Sequence, residues 1–518
     1  MRMVIVSMLA ACGANAPAAQ PAAVPAAGTP ELVQIDTGSV RGVALRDTYA
    51  WRGIPYAAPP IGPLRWQPPQ RATAWTGVRE ASGFGYACMQ AGSSMAPNDS
   101  ALGSEDCLTL NVWRPQRAAQ RPVMVFIHGG YFAWGSSSYR KDGVDLYDGA
   151  ELAARGDVVV VTLNYRLGPF GYLAHPALAA EDPHHSTGDY GVLDQLAALA
   201  WVQRNIAAFG GDPQRVTIFG QSAGAISTGA LYASPLARGL FAAAIMHSGN
   251  GDAIPLPKAM RGGAQLAHQL GCERAEPAAT LACLRAQSAT AIAAALPESF
   301  APDGQKFGPV VDGYVLPRKP IELVERGEHN HVPLIVATTS NEYSTMIHSY
   351  IDGPISTADE YAAMVTRRFP RMATRLVEEY PASAYATPLA AYTAMWSDVA
   401  FVCQSNWLAD AAAAHQHEPV YRFVFDHGYA GKLERFGAGH GMDLYMVFHN
   451  LPPYIAFDAS EQQLSQQLTA VWAAFAHGTA PDWPVRGTHG EAEVLDRTLH
   501  AAAPAADHCA FWKPILGR

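Results

Sequence analysis

The sequence lacks the features that direct a chain to nucleic acid or across a membrane. Its 518 residues carry a formal charge of -9, and no run of like charge stands out that could form a basic face for a polyanion. The apolar stretch at its N-terminus is about nine residues long, which is too short to span a bilayer. Nucleic acid is therefore not an expected partner.

The chain also lacks a His-Glu-x-x-His zinc pair, an internal repeat and any linker that would divide residues 31–518. The neighbouring His184 and His185 follow Pro183 and are typical of a loop rather than a metal site. We therefore expect no metal and no cofactor. Because 49% of the residues are hydrophobic, the chain can bury a large core, and we predict a single domain over 31–518.

Two short segments precede this domain. Residues 1–12 join an arginine to an apolar stretch, which is typical of a signal peptide, and they end in a sequence that resembles a bacterial lipobox with Cys12 as the lipidated residue. A plain secretory signal with an incidental cysteine is the alternative, and both interpretations stay open. Residues 13–30 are rich in Ala, Pro and Gly and predict a flexible tether. We expect an exported bacterial protein that is periplasmic, secreted or attached to a membrane through Cys12.

The cysteine count fits export but fixes no pairing. Seven cysteines are an odd number, and six remain if Cys12 belongs to the leader. Six cysteines allow many connectivities, so their spacing alone does not choose among them.

Apolar, β-rich runs alternate with helical patterns along the rest of the chain. The runs at 123–127, 158–165 and 216–220 predict strands that are covered on both faces. Apolar residues from Val192 to Phe209 recur in steps of three and four, which predicts an amphipathic helix. Such alternation predicts an α/β fold with a largely parallel sheet and helices on both faces. Later patterns predict strands at 334–339 and 421–425 and a helix over 466–478 that ends near Gly478.

The stretch VTIFGQSAGA, residues 216–225, carries the strongest chemical signal. Gly220, Ser222 and Gly224 form a Gly-x-Ser-x-Gly pattern between a predicted strand and a predicted helix, which is the pattern of a nucleophile elbow. Glycine is needed on both sides because a side chain there would collide with neighbouring backbone in so tight a turn. A chance match is the alternative, and the strand before the pattern and the helix after it favour a nucleophile.

A serine nucleophile needs a base, an acid that orients the base, and donors for the developing oxyanion. The acid and the histidine follow the serine along the chain in this arrangement, but 18 histidines and 45 acidic residues leave the choice open. The N–H of Ala223 and N–H groups of the loop IHGGYF, residues 127–132, are the expected donors. We interpret His128 in this loop as a structural residue rather than a second base.

Longer stretches of the sequence carry a family resemblance. They resemble the type-B carboxylesterases, the carboxylesterase and cholinesterase family of α/β-hydrolases, including its bacterial para-nitrobenzyl esterase-like members. The resemblance runs from about residue 31 to 515 and implies the α/β-hydrolase fold and a small-molecule ester as substrate. The matching stretches are WRGIPYAAPPIGPLRW (51–66), SEDCLTLNVW (104–113), FIHGGYF (126–132), LNYRLGPFGYL (163–173), the run 188–225, GPVVDG (308–313) and GHGMDLYMVF (439–448).

The resemblance implies a catalytic triad of Ser222 as nucleophile, His440 as base and Glu342 as acid. The sequence departs from the family around the acid, because relatives usually read Asp-Glu-Gly where this chain has Asn341-Glu342-Tyr343. A solvated loop carboxylate is the alternative for Glu342, and a buried structural histidine is the alternative for His440.

The oxyanion donors implied by the resemblance are the N–H groups of Gly130, Tyr131 and Ala223. Relatives commonly have Gly or Ala where Tyr131 stands, and its ring can narrow or line the acyl pocket. The implied disulfides are two short loops and one long-range link, with free buried thiols as the alternative. The pairs are Cys88 with Cys107, Cys272 with Cys283, and Cys403 with Cys509, which leaves Cys12 as the seventh cysteine.

The expected activity is ester hydrolysis by acyl transfer on a Ser-His-Glu triad. One alternative is hydrolysis of another acyl bond, such as an amide, lactone or carbamate, and a second is a non-catalytic, cholinesterase-like adhesion or scaffold protein. A choline preference is disfavoured, since residues 89–106 contain no aromatic side chain for a quaternary ammonium. We expect the segments 285–306 and 345–400, which match no motif, to cover the site.

Overall fold

The computed structural model describes most of the chain after residue 30. The predicted leader (1–12) with Cys12, the predicted tether (13–30) and most of the loop 89–106 lie outside the described residues. The described ranges are 31–91, 103–117, 119–141, 143–295, 306–347, 351, 353–452, 457–487, 492–496, 498–502 and 508–517.

Eighteen strands lie in the described ranges, and eleven of them form one large sheet. They are β1 (Leu32–Ile35), β2 (Gly38–Arg41), β3 (Val43–Ala44), β4 (Thr48–Pro55), β5 (Val78–Glu80), β6 (Thr109–Pro115), β7 (Arg121–Ile127), β8 (Arg140–Lys141), β9 (Val144–Asp145), β10 (Val159–Leu163), β11 (Gly211–Gln221), β12 (Ala243–His247), β13 (Ile254–Pro255), β14 (Val310–Val311), β15 (Leu334–Thr339), β16 (Val420–Phe425), β17 (Ala492–Leu495) and β18 (Leu499–Ala502).

The large sheet has the strand order β18-β17-β16-β15-β12-β11-β7-β10-β6-β4-β3. Neighbouring strands from β17 through β10 pair in parallel, whereas β18, β6, β4 and β3 are added antiparallel at the two ends. Every residue of β7 and of β10 is buried, as expected for central parallel strands that are covered on both faces. The prediction of a mostly parallel α/β-hydrolase sheet is therefore confirmed.

Sixteen α-helices surround the sheets in the described ranges. They are α1 (Ala150–Gly156), α2 (Gly168–Tyr172), α3 (Pro176–Glu181), α4 (Tyr190–Asn205), α5 (Ala223–Ala233), α6 (Leu256–Gln269), α7 (Pro277–Ala286), α8 (Ala289–Ala294), α9 (Pro320–Glu325), α10 (Ala358–Arg368), α11 (Ala373–Glu379), α12 (Pro388–Ser397), α13 (Cys403–His415), α14 (Asp443–Val447), α15 (Ala459–Ala476) and α16 (Cys509–Ile515).

Alternate residues of β7 separate the core into two layers. Val123, Val125 and Ile127 belong to one hydrophobic cluster, and it also contains the apolar faces of α4, α5 and α13. Met124 and Phe126 belong to a second cluster, which contains α1, α14 and α15. Since successive side chains of a strand point to opposite faces, helices cover both faces of the sheet.

The helix bounds differ from the predictions in two places. The helix predicted over 192–209 is α4, which ends at Asn205, and a separate 3₁₀ helix, Ile206–Phe209, follows it and is capped by Gly210 with φ 79°. The helix predicted from 466 begins earlier, at Ala459, because Asp458 and Glu461 form a reciprocal capping box at its start. The Asp-x-x-Glu spacing in the sequence was the signal that could have located this helix start.

The structure contains the three disulfides that the resemblance implies, Cys88–Cys107, Cys272–Cys283 and Cys403–Cys509. The third joins α13 to α16 across 106 positions, and closing so long a loop stabilises the fold by about 4.7 kcal/mol in the chain-entropy estimate. Among the described helices, none combines the length and the apolar character needed to cross a bilayer.

Candidate active site

The turn between β11 and α5 holds Ser222 in a strained backbone conformation, with φ 59° and ψ -124°. A Cβ atom on Gly220 would lie 2.3 Å from the carbonyl oxygen of Gly224, and one on Gly224 would lie 1.9 Å from that of Ile127. Both positions therefore require glycine. The Ser222 N–H donates to the carbonyl of His247 at 2.9 Å, which anchors the turn to the end of β12.

The loop after β7 packs directly against this turn. A Cβ on Gly129 would lie 3.0 Å from Ser222 Cβ, and a Cβ on Gly130 would lie 2.0 Å from the carbonyl oxygen of Trp134. Gly130, Tyr131 and Phe132 have φ values of 111°, 58° and 59°, so three successive residues adopt positive φ. This conformation brings the backbone of the loop close to the serine.

His440 and Glu342 form a close buried pair. Nδ1 of His440 lies 2.5 Å from Oε2 of Glu342, and the exposed fractions of the two side chains are 9% and 0%. The other carboxylate oxygen of Glu342 accepts the N–H of Thr339 at 2.7 Å, at the end of β15. Because Nδ1 donates to the carboxylate, the lone pair of the imidazole is left on Nε2. Nε2 is buried and has no hydrogen-bond partner in the described part of the chain.

Ser222 and His440 line one cavity of about 370 Å³. They do not hydrogen-bond to each other in this structure, which is common in enzymes without substrate, where such contacts tighten only on binding. Glu342 and Ala223 are buried and are not among the residues that line the cavity. The lining residues are Gly129, Gly130, Tyr131, Trp134, Tyr139, Lys141, Leu146, Tyr147, Gln221, Ser222, Thr345, Met346, Leu433, Arg435, Phe436, His440, Gly441, Met442 and Leu444.

The ring of Tyr131 lines this cavity and packs against a third hydrophobic cluster, which contains Tyr343 and Met346 together with α10 and α12. Thr345 and Met346, at the start of the segment 345–400, also line the cavity. None of the described residues of 285–306 does so, since Ile292 and Ala293 pack instead with Trp66 in a separate cluster. The expectation that 285–306 covers the site is not met by its described part.

His128 has the surroundings of a structural residue. Its side chain is 1% exposed, Nδ1 lies 2.8 Å from the carbonyl oxygen of Gly129, and the ring stacks on Tyr165 at 4.5 Å. Burial lowers its pKa from 6.5 to about 4, so the ring stays neutral near pH 7.

The two adjacent histidines 184 and 185 lie outside regular structure, and the ring of His184 stacks on Tyr314 at 3.9 Å. Among the described side chains, no group of three or more metal-ligating residues could hold a metal ion.

Another buried histidine–carboxylate pair, next to the candidate site, was missed by the sequence analysis. Nδ1 of His247 lies 2.6 Å from Oδ2 of Asp443, and Nε2 of His247 accepts the indole N–H of Trp472 at 2.9 Å. Asp443 falls inside the stretch GHGMDLYMVF, but nothing in the sequence marks His247 as its partner. The two basic side chains in the cavity, Lys141 and Arg435, were also missed.

Comparison with known proteins finds many similar sequences. The model of the carboxylesterase family matches residues 29–512. A fumonisin B1 esterase from Sphingopyxis macrogoltabida is 37% identical over 486 residues, which cover 89% of this chain and 86% of that protein. The para-nitrobenzyl esterase of Bacillus subtilis is 34% identical, covering 88% and 92% of the two chains. A human cocaine esterase is 34% identical, covering 90% and 86%.

Proposed function

Because the chain belongs to the carboxylesterase family and is a carboxylic ester hydrolase, we propose that it works through an acyl-enzyme on Ser222. His440 is the general base, and Glu342 orients it. One observation carries the proposal: the buried His440–Glu342 pair leaves Nε2 of His440 without a partner in the described residues, and His440 lines the same cavity as Ser222.

In the first half of the reaction, Nε2 of His440 accepts the Ser222 proton while Oγ attacks the ester carbonyl carbon. Glu342 accepts the hydrogen bond from Nδ1, which fixes the tautomer and stabilises the imidazolium that forms. The imidazolium then protonates the departing alcohol. In the second half a water molecule repeats these steps on the acyl-enzyme and releases the acid.

The oxyanion that forms on the carbonyl oxygen is stabilised by the backbone N–H groups of Gly130, Tyr131 and Ala223. Two features support this assignment. Gly130 and Tyr131 line the cavity beside Ser222, and Ala223 is the first residue of α5, where the helix N-terminus favours negative charge.

Removal of the Ser222 hydroxyl tests the proposal. Turnover of para-nitrophenyl esters with short and long acyl chains should fall on the order of 10⁶-fold in Ser222→Ala. Ser227→Ala is the matched control, because Ser227 lies on α5 and does not line the cavity. Retention of more than a hundredth of the activity by Ser222→Ala would rule out the acyl-enzyme on this residue.

The same machinery can act on other acyl bonds, so the bond preference needs its own measurement. We expect a matched aryl ester to be hydrolysed much faster than the corresponding anilide. Faster hydrolysis of the anilide would show that an amide is the better substrate.

We also propose that the protein is exported. The three disulfides support this, since such bonds persist in oxidising compartments. Fractionation of the native host should place the protein outside the cytoplasm, and Cys12→Ala should release it from the membrane fraction if Cys12 is lipidated. Recovery of the full chain in the cytoplasm with reduced cysteines would contradict export.

A further inference from the structure

Two basic side chains, Lys141 and Arg435, line the cavity that contains Ser222 and His440. None of the described residues that line this cavity is Asp or Glu. The chain as a whole is acidic, with 45 Asp and Glu against 36 Lys and Arg. The described lining of the cavity therefore contains basic and no acidic side chains, in a protein whose overall charge is negative.

Arg435 belongs to the turn of 3₁₀ helix Gly431–Phe436, in the same loop that carries His440. Its side chain makes no ion pair with any described residue, and its guanidinium carbon lies 4.5 Å from the ring centroid of Phe436. The neighbouring Glu434 is exposed and does not line the cavity. A guanidinium has several N–H donors and no acceptor, so a planar carboxylate is a well-matched partner for it.

Lys141 lies at the end of β8, in the short hairpin that β8 forms with β9. Its side chain is partly buried, and Nζ lies 5.7 Å from the ring centroid of Tyr445. Partial burial reduces the screening of its charge by water, so the ammonium acts more strongly on a ligand in the cavity than it would on an open surface.

The two cations, which we call the basic wall, lie on segments that adjoin the same hydrophobic cluster. The hairpin and the Arg435 turn both adjoin the second hydrophobic cluster, through Leu146 and Tyr147 on one side and Leu433 on the other. Tyr131 and Met346, which also line the cavity, pack with the third cluster instead. A ligand in this cavity thus meets both basic and apolar side chains.

We propose that the preferred substrate is an ester whose acyl or alcohol part carries a carboxylate, held by Arg435 and Lys141 while the ester carbonyl lies at Ser222. The proposal rests on the proposed function and names the substrate class of that site. A cavity of about 370 Å³ is in the usual range for a small-molecule ligand. Favourable electrostatics at such a site raise both the rate of encounter and the selectivity for the charged ligand.

Two matched ester pairs test this, one for each position of the charge. For the acyl side the pair is the para-nitrophenyl monoester of adipic acid and its methyl-capped diester. For the alcohol side it is the acetate ester of para-hydroxyphenylpropanoate and the methyl ester of the same compound. The readout is the ratio of kcat/KM for the charged ester to kcat/KM for the neutral ester, which does not depend on how much of a variant is folded.

We expect the wild-type ratio to exceed one in at least one pair, and that pair identifies the side that carries the charge. Arg435→Gln and Lys141→Gln should each lower this ratio about fivefold, as for a partly exposed charge pair. Arg140→Gln is the control, because Arg140 precedes Lys141 but does not line the cavity, so the same loss of charge should leave the ratio unchanged.

The results distinguish failure of the carboxylate proposal from failure of the proposed function. If neutral esters are hydrolysed by the wild type and not by Ser222→Ala, but neither charged ester is preferred, the carboxylate proposal is wrong and the proposed function stands. Equal effects of Arg140→Gln and Arg435→Gln would also overturn it, since the charge would then act at long range rather than by contact. If none of the four esters is hydrolysed, the proposed function fails and the carboxylate proposal fails with it.

Discussion

Two of the buried histidine–carboxylate pairs in the described residues are nearly identical in the bond between the partners and differ in what the second ring nitrogen contacts. The pair His440–Glu342 has a distance of 2.5 Å, and the pair His247–Asp443 has a distance of 2.6 Å. Nε2 of His247 accepts a hydrogen bond from Trp472, whereas Nε2 of His440 has no partner in the described residues and belongs to a ring that lines the cavity. A carboxylate bonded to Nδ1 of a histidine is therefore not enough to identify a base, because Nε2 must also be available to a substrate.

We call His440–Glu342 the open pair, because Nε2 of His440 has no partner in the described residues, and His247–Asp443 the closed pair. The closed pair has a structural role next to the open pair. The carbonyl of His247 accepts the N–H of Ser222, and Asp443 begins α14 just after the loop that carries His440. The bond between His247 and Asp443 thus ties the serine turn to the histidine loop. We interpret this pair as a positioning element that fixes the distance between the segments that carry Ser222 and His440.

His128 is a third histidine, and it separates two requirements for a base: a carboxylate bonded to Nδ1 and an available Nε2. Its Nε2 has no partner among the described residues, as in His440, but its Nδ1 is paired with the backbone oxygen of Gly129 instead of a carboxylate. Burial without a carboxylate lowers its pKa to about 4, which makes it a poor proton acceptor near neutral pH. A base of the type proposed here needs both the carboxylate and the available nitrogen.

The largest expected effect comes from replacing the histidine of the open pair. His440→Gln should lower kcat/KM on the order of 10⁶-fold, because the proton of Ser222 then has no acceptor. His247→Gln removes the histidine of the closed pair and should keep kcat/KM within about tenfold, since it acts only through position. Steady-state kinetics on one neutral aryl ester measures both, and equal losses in the two variants would contradict the distinction between the pairs.

A smaller effect, on stability, is expected from the carboxylate of the closed pair. Asp443→Ala should lower the free energy of unfolding by about 3 kcal/mol, because Nδ1–H of His247 is left buried without an acceptor. Asp443→Asn keeps an acceptor oxygen at nearly the same place and should lose much less. Denaturant unfolding of the two variants checks this, and a loss for Asn as large as that for Ala would show that the acceptor is not what matters.

The smallest expected effect concerns pH and His128. Its pKa is about 4 in the folded chain and 6.5 in the unfolded chain, so between these values the unfolded chain binds a proton that the folded chain does not. The free energy of unfolding should therefore fall by about 3 kcal/mol as the pH is lowered from 6.5 to 4, and this stability is fully present above pH 6.5.

The matched variant for this pH effect is His128→Gln, which removes the titrating group. Unfolding measured between pH 6.5 and 4 should show a shallower pH dependence in this variant. Part of the dependence should remain, since burial also lowers the pKa of His329 to about 4. An unchanged slope would show that His128 is not buried as a neutral ring.

Much of the fold follows from local patterns. Continuous apolar runs predicted β7, β10, β11, β15 and β16, because central parallel strands are buried on both faces and need no alternation. The glycines around Ser222 predicted the tight turn, since the contacts that exclude a side chain there are set by the turn itself. Apolar periodicity alone predicts α15 from residue 466, seven residues after its start at Ala459, which the capping box of Asp458 and Glu461 determines.

The candidate site was only partly predictable. Residues 222, 342 and 440 lie in recognisable stretches, and the departure at Asn341 and Tyr343 does not disturb the contact between Glu342 and His440. The closed pair and the basic wall could not be predicted, because each joins side chains from segments far apart along the chain. His247 and Asp443 are separated by 196 positions, and no local pattern encodes such a contact. That residues 31–518 form a single domain stays a prediction.

The central claim is that Ser222 becomes acylated because the open pair removes its proton. The most direct test is titration with an organophosphonate that carries a chromogenic leaving group, followed by mass spectrometry of the labelled peptide. The account predicts one label per chain, located on Ser222, formed rapidly in the wild type and in His247→Gln and at least about a thousandfold more slowly in His440→Gln. A label on another residue, or full ester turnover without any label on Ser222, would contradict it.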